Sequence, residues 1–327
     1  MAYSCSLKEH YFNTAVSPNP SFSPYLRFIP RILATLFMSF LLRLAAALPL
    51  RLLHGLGAAL GWFIYVVSPR YRHQLRANLA QAGYAGAAMR RAAIAAAGRG
   101  VLELPALWLR PHGQVAALVR EVAGWELVEA ARARGKGILF LTPHLGCFEI
   151  TAQYYASRTS ADAPLTVLYT PPRKKLIAPA MRAGRERPGL LVAAPDLSGI
   201  RALLRALRRG HAVGILPDQA PGVGQGEWAN FFGRPAYTMT LVDRLRQACD
   251  ATLILAYAER LPGGRGYALH LAAMPEAQQD ERPARHLNRA VEGLVRQCPA
   301  QYYWGYNRYK VPAGAQPAGP AAAPSPR

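Results

Sequence analysis

Cysteine is scarce in this chain: Cys5, Cys147, Cys249 and Cys298 are scattered and form no C-x-x-C pair. That spacing signals neither a zinc site nor a disulfide framework, and free thiols in a reducing compartment are expected. Acidic residues are also few, 18 Asp and Glu against 39 Lys and Arg, so the formal net charge is +21. Such an excess favours nucleic acid, anionic lipid surfaces or acidic protein partners. Lysine contributes little to it, because 34 of the 39 basic residues are arginine. A GC-rich genome and selection for bidentate phosphate contacts account for that bias equally well. The arginines are spread along the chain. Zinc-finger spacing, RNP-type aromatics and a recognition-helix pattern are all missing, so nucleic acid is not an expected partner. A membrane surface or an acidic carrier fits better.

With 327 residues, 51% of them hydrophobic, the chain is able to bury a full core, as one large α/β domain or two small ones. Residues 1–24 are polar, contain Pro and Ser and carry no secretory cleavage pattern. They read as a disordered extension or a misassigned start. Residues 32–67 are strongly apolar, interrupted by Arg43, Arg51 and His54. The first part approaches the ~20 residues that a spanning helix needs. Arg43 would be costly at a bilayer centre, however, and the flanking arginines at 27, 31, 51, 70, 72 and 76 suit an interfacial hairpin equally well. Membrane association over residues 25–68 is therefore expected, by spanning or by lying on the surface.

Helical pattern follows at 71–82 and in an Ala-rich stretch at 87–109, and then short apolar strands recur at 138–142, 165–169, 190–194, 212–216 and 252–258. Between strands, Ile200, Leu203, Leu204 and Leu207 share one helix face, with arginines opposite and Gly210 as C-cap. A second amphipathic helix carries Leu287, Ala290, Val291, Leu294 and Val295 and stops near Pro299. The alternation predicts a mixed α/β fold over residues 69–311, with a largely parallel central sheet flanked by helices. Residues 312–327, rich in Pro and Ala, read as a disordered tail.

The candidate chemistry lies in Pro143-His144-Leu145-Gly146-Cys147-Phe148-Glu149, directly after the strand at 138–142. Ligands of open α/β sheets gather at the carboxyl ends of strands. A neutral imidazole accepts a proton from an alcohol, and a carboxylate on its far nitrogen fixes the tautomer and stabilises the imidazolium. Five residues along one helix would separate the two side chains, so a turn at Gly146 is expected, with Glu149 at a helix start. Cys147 is expected to be packing rather than a nucleophile. Asp218 and Gln219 follow the strand at 212–216 at the same sheet edge. Asp218 is either a turn residue or an orienter of the site, and Gln219 carries an amide donor within possible reach of an oxyanion.

Taken in order, the His144 to Glu149 block, Tyr169 with Pro171-Pro172-Arg173, Gly184-Arg185-Glu186-Arg187, Pro217-Asp218-Gln219, Phe231-Phe232-Gly233-Arg234-Pro235-Ala236 and Gln301-Tyr302-Tyr303-Trp304 with Arg308-Tyr309-Lys310 form a set. That set resembles the bacterial lipid A biosynthesis (late) acyltransferases of the lysophospholipid acyltransferase superfamily, over roughly residues 32–311. Glutamate at 149 and the Phe-Phe-Gly block differ from the H-x-x-x-x-D pattern usual in glycerolipid acyltransferases. The resemblance implies a glycerolipid acyltransferase-like fold and transfer of a fatty acyl chain from an acyl carrier protein thioester to a hydroxyl of a lipid A precursor. No acyl-enzyme, metal or cofactor is implied.

In that scheme His144 is the general base and Glu149 its relay. The candidate substrate-binding residues are Arg173, Arg185, Asp218, Gln219, Phe232 and Arg234. Thr170 stands where the family's Tyr-Arg-Pro-like block has arginine. Acyl carrier protein and a lipid A precursor or other glycolipid are the implied partners, at the cytoplasmic face of a bacterial inner membrane. Another glycolipid, aminolipid or lysophospholipid acceptor is the first alternative. A non-catalytic basic membrane-peripheral binding protein is the second.

Overall fold

A computed structural model of the chain describes residues 29–159, 162–169 and 177–317. The expected extension at 1–24, residues 318–327 of the expected tail, and Arg173 with Lys174 and Lys175 lie outside these.

The apolar N-terminal region forms two helices, α1 (Ile29–Ala47) and α2 (Leu50–Val67), broken at Leu48-Pro49. In α2, Leu50, Leu53, His54, Gly57, Gly61 and Tyr65 are buried, at the spacing of one helix face. The opposite face and most of α1 are exposed and apolar, with Leu36, Phe37, Phe40 and Phe63 each about 60% exposed. Ser68 caps α3 (Pro69–Gln81), its hydroxyl accepting from the Tyr71 N–H. The Ala-rich stretch expected as one run is two helices, α4 (Ala87–Leu102) and α5 (Leu104–Leu109), which meet at Glu103 with Pro105 at the start of α5.

α2 and α4 cross backbone to backbone. A Cβ placed on Gly98 would lie 2.0 Å from the Gly57 carbonyl oxygen, and one on Gly61 would lie 2.2 Å from that of Ile94. Among the described residues, Leu50–Val67 and the Ala87–Leu109 stretch are long and apolar enough to cross a membrane. The second is half covered by the rest of the protein.

After the short α6 (His112–Ala116) the sheet begins. Its strands are β1 (Val119–Ala123), β2 (Ile138–Leu141), β3 (Leu165–Leu168), β4 (Leu190–Ala193), β5 (Ala212–Ile215), β8 (Thr252–Arg260) and β9 (Tyr267–Ala273), in the order β1-β9-β8-β2-β5-β3-β4. β8, β2, β5, β3 and β4 run parallel; β9 is antiparallel to β8, and β1 follows β9. The mixed, largely parallel sheet is as the sequence predicts. β1 and β9 were not legible, because β1 is half exposed and β9 carries His270 among its apolar residues.

The remaining helices are α7 (Trp125–Ala133), α8 (Phe148–Arg158), α9 (Ala178–Arg185), α10 (Leu197–Arg208), α11 (Leu241–Cys249) and α12 (Pro283–Gln297). Asp196 caps α10, its carboxylate accepting from the N–H groups of Ser198 and Gly199. Both faces of the sheet are covered. Leu139 and Leu141 of β2 point toward Leu203 and Leu207 of α10, Leu245 of α11 and Leu294 of α12, while Ile138 and Phe140 point toward Val128 of α7 and Ile150 and Tyr155 of α8. Alternate residues of one strand thus enter different cores, which is why the strand sequences are continuously apolar.

The Phe-Phe-Gly block forms a separate hairpin, β6 (Gly226–Phe231) with β7 (Arg234–Met239). Its two turn residues, Phe232 and Gly233, both have positive φ.

Candidate active site

β2 and β5 are neighbours, and their register pairs Leu141 with Ile215. Each runs into a proline two residues later, Pro143 and Pro217, which ends the ladder because proline has no N–H to donate. His144 and Asp218 each lie three residues beyond that register pair, so they emerge side by side at the carboxyl edge of the sheet. The Nδ1 of His144 donates to Asp218 Oδ1 at 2.8 Å, and the backbone N–H of His144 donates to Oδ2 at 2.9 Å. Asp218 is 3% exposed. Burial pushes its carboxyl up, but electrostatic attraction to the His144 ring, both hydrogen bonds and the charge of Arg308 outweigh burial and hold it below the usual carboxylate range. An ionised Asp218 places the imidazole proton on Nδ1 and leaves the Nε2 lone pair free to accept. Gln219 Nε2 lies 3.1 Å from it and serves as the donor.

The turn after His144 is stitched on every side. The His144 carbonyl accepts from Tyr303 N, Gly146 N donates to the Gln301 carbonyl, and Cys147 N donates to the Ala258 carbonyl at the end of β8. Gly146 has φ +60°, and a Cβ there would meet the Ala258 oxygen at 2.0 Å. Only glycine fits such a turn. Cys147 is buried, and burial and then the Glu103 charge push its thiol up, in keeping with a packing role.

The expected pairing of Glu149 with His144 is not what the structure holds. α8 begins at Phe148, so Glu149 falls in its first turn and meets Arg185 of α9, whose Nε and Nη2 both donate to its carboxylate. Arg185 also lies over the Tyr169 ring, 5.5 Å from its centroid. The carboxylate on the imidazole is Asp218 instead. Strand register brings it there, from 74 residues away in the chain.

His144, Glu149 and Gln219 face one cavity of about 260 Å³, walled by Phe148, Tyr302 and Tyr303 and floored by Ala96, Ala97 and Gly100 of α4. Phe148 packs on the imidazole with ring centroids 4.8 Å apart. Two other expected site residues are not brought here. Phe232 is buried in the hairpin turn, packed on Phe231 and Trp304, with its N–H donating to Glu292. Arg234 is exposed and stacks on Tyr309 at 4.7 Å.

Trp304 packs, its indole N–H donating to the Pro299 carbonyl. Arg308 is 2% exposed and donates to Tyr237, Thr238 and Asn288. Residues that sequence reading missed are Tyr303 and the buried pair Glu103 and Arg260, all on the cavity wall. A signal was present for Glu103, a single charge within an apolar run, whereas Arg260 follows Glu259 at the end of one.

A histidine backed by a buried carboxylate stands at the carboxyl edge of an α/β sheet and faces a largely apolar cavity. The chain belongs to the bacterial lipid A biosynthesis acyltransferase family, whose model matches residues 19–311. It is similar to a lipid A biosynthesis acyltransferase of Haemophilus influenzae, 29% identical over 56% of this chain and 57% of that protein. Escherichia coli K12 proteins are similar too. A lipid A biosynthesis lauroyltransferase is 27% identical over 65% of this chain and 69% of its own length, and a myristoyltransferase is 27% identical over 55% and 56%. Of two of these three relatives, the chain spans little more than half the length.

Proposed function

We propose that the protein transfers a fatty acyl chain from an acyl carrier protein thioester to a hydroxyl of a lipid A precursor, with His144 as general base and Asp218 as the carboxylate that orients it. The observation that carries this reading is the His144 to Asp218 pair opening on the cavity beside Gln219. The acceptor hydroxyl displaces the Gln219 amide from Nε2 and gives its proton to the imidazole as its oxygen attacks the thioester carbonyl. The tetrahedral intermediate collapses with cleavage of the C–S bond. The imidazolium then returns the proton to the departing thiolate of the carrier's prosthetic arm. Gln219, freed from the base, is positioned to donate to the oxyanion.

Arg185, fixed by Glu149 and Tyr169 at the edge of the site, supplies a guanidinium suited to an anionic group of the acceptor. The exposed apolar face of α1 and α2, with Arg43 and Arg51 exposed on the same helices and Arg70 at the start of α3, suits the cytoplasmic surface of an inner membrane. The net charge of +21 steers both an acidic carrier protein and anionic lipid toward the molecule.

The test is incubation of the purified protein with a panel of acyl carrier protein thioesters and lipid A precursors, read by mass spectrometry. Acylation of the precursor with release of free carrier thiol is expected. Transfer only to a lysophospholipid or an aminolipid, or none at all, refutes the assignment of acceptor or of activity respectively.

A further inference from the structure

Behind the catalytic turn lies a buried charge cluster that the proposed reaction does not use. Glu103, at the joint of α4 and α5, is 1% exposed and takes four donors on its two oxygens: Arg260 Nε, Arg260 Nη2, Tyr267 Oη and the Nε2 of His54. Burial raises its carboxyl, yet the Arg260 charge and the bonds from His54 and Arg260 prevail and hold it at about 2. Arg260, the last residue of β8, is also held through its backbone, which exchanges two hydrogen bonds with the side chain of Gln301.

One further contact leaves the cluster. Arg260 Nη2, 2.6 Å from Glu103, also lies 2.8 Å from the carbonyl oxygen of Gly146. That carbonyl belongs to the turn carrying His144, and the positive φ of Gly146 turns it away from the strand ladder. Without the guanidinium it would be a buried acceptor with no partner. α4 makes room for the arginine head: a Cβ on Gly100 would stand 2.9 Å from Nη2. Three elements distant in sequence, α2 through His54, the α4/α5 joint through Glu103 and the end of β8, thus converge on one backbone oxygen two residues from the base.

We propose that Arg260, locked by Glu103 and His54, is a positioning residue for acyl transfer, fixing the Gly146 carbonyl and with it the orientation of His144 toward the bound hydroxyl. This rests on the reading of His144 as base. The fork of the guanidinium is what the role requires, since one nitrogen faces Glu103 and Gly146 together while Nε stays on Glu103. A lysine ammonium keeps the ion pair with Glu103 but cannot also span to the carbonyl with the same rigidity.

The deciding experiment compares full-length wild type, Arg260→Lys, Arg260→Ala and Gly100→Ala, measuring kcat and KM for both substrates, thermal midpoint, and the rate of diethyl pyrocarbonate modification of His144. Arg260→Lys is expected to stay folded with KM within about threefold, while kcat falls about 10- to 100-fold, the loss that a misplaced reacting group produces. Gly100→Ala, which presses on Nη2, is expected to lower kcat in the same sense. In Arg260→Ala the vacated space adjoins the cavity, and millimolar methylguanidinium is expected to restore part of kcat.

Wild-type kcat in Arg260→Lys, or a loss that only tracks the unfolded fraction, overturns the proposal. If Arg260→Ala does not fold, Arg260→Lys and Gly100→Ala decide. An inactive wild type refutes instead the reaction assigned above. The His144 modification rate, which needs no substrate, then still tests positioning: an unchanged rate in folded Arg260→Lys counts against it.

Discussion

Replacing Asp218 with Asn tests the site most sharply, because the change is nearly isosteric and its consequence follows from two hydrogen bonds. The carboxylate accepts from both the backbone N–H and Nδ1 of His144. An amide has one oxygen for those two donors. If the oxygen stays on the backbone N–H, the NH2 faces Nδ1, which must then become the acceptor, and the imidazole proton moves to Nε2. The base is lost although the ring has not moved. A wrong tautomer of this kind costs about 10³- to 10⁴-fold in kcat, or about 4–5 kcal/mol of transition-state stabilisation. The loss of a buried charge-assisted bond is expected to lower stability by roughly 1–3 kcal/mol. The assay is release of carrier thiol with an acyl carrier protein thioester and a lipid A precursor under saturation, beside a thermal melt. A folded Asp218→Asn that keeps a third or more of wild-type kcat would refute the pairing as functional.

Four further outcomes are expected. Glu149→Gln removes the carboxylate from Arg185 rather than from the imidazole. It should raise KM for the anionic acceptor more than it lowers kcat, with a stability loss of roughly 1–3 kcal/mol; steady-state kinetics in which it exceeds Asp218→Asn in kcat loss would return the relay to Glu149. Gly146→Ala forces a side chain to φ +60° and onto the Ala258 oxygen, so activity should vanish with a melting point several degrees lower. Gly98→Val places atoms within the backbone crossing of α2 and α4, and proteolysis should then cleave α2 from the rest far faster than in wild type. Glu103 is held at about 2 in the fold against an ordinary 4.5. Its stabilising contribution is therefore complete above about pH 4.5 and lost as pH falls from there toward 2. Melting points measured between pH 7 and 3 should drop more steeply for wild type than for Glu103→Gln, and parallel curves would contradict this.

Much of the architecture was legible in the chain because it is written in local periodicity. The alternation of short apolar runs with amphipathic helices such as α10 specifies a parallel sheet. The runs are continuously apolar because the sheet is covered on both faces, with Leu139 and Phe140 entering different cores. Local chemistry also located the proposed base: His144 follows a strand and a proline, and Gly146 supplies the turn. β1 escaped because half-exposed strands carry weak patterns. Phe232 and Arg234 of the β6–β7 hairpin entered the candidate site through the family resemblance, since a turn with Phe232 at positive φ carries no periodic signature of where it packs.

What the sequence could not decide was partnership across the chain. His144 and Glu149 are five residues apart, and that spacing together with the family resemblance made them a pair. Three-dimensional register instead sets Asp218 against the imidazole and leaves Glu149 to Arg185. A hydrogen bond is decided by ångströms between side chains, whereas periodicity determines only which face a side chain occupies. The sequence by itself therefore determined the parallel strands of the sheet, the amphipathic helices and the sheet edge at which the candidate site lies. The register of β2 on β5, and the convergence of His54, Glu103 and Arg260 on the Gly146 carbonyl, belong to the tertiary structure, because each depends on contacts between segments far apart in the chain.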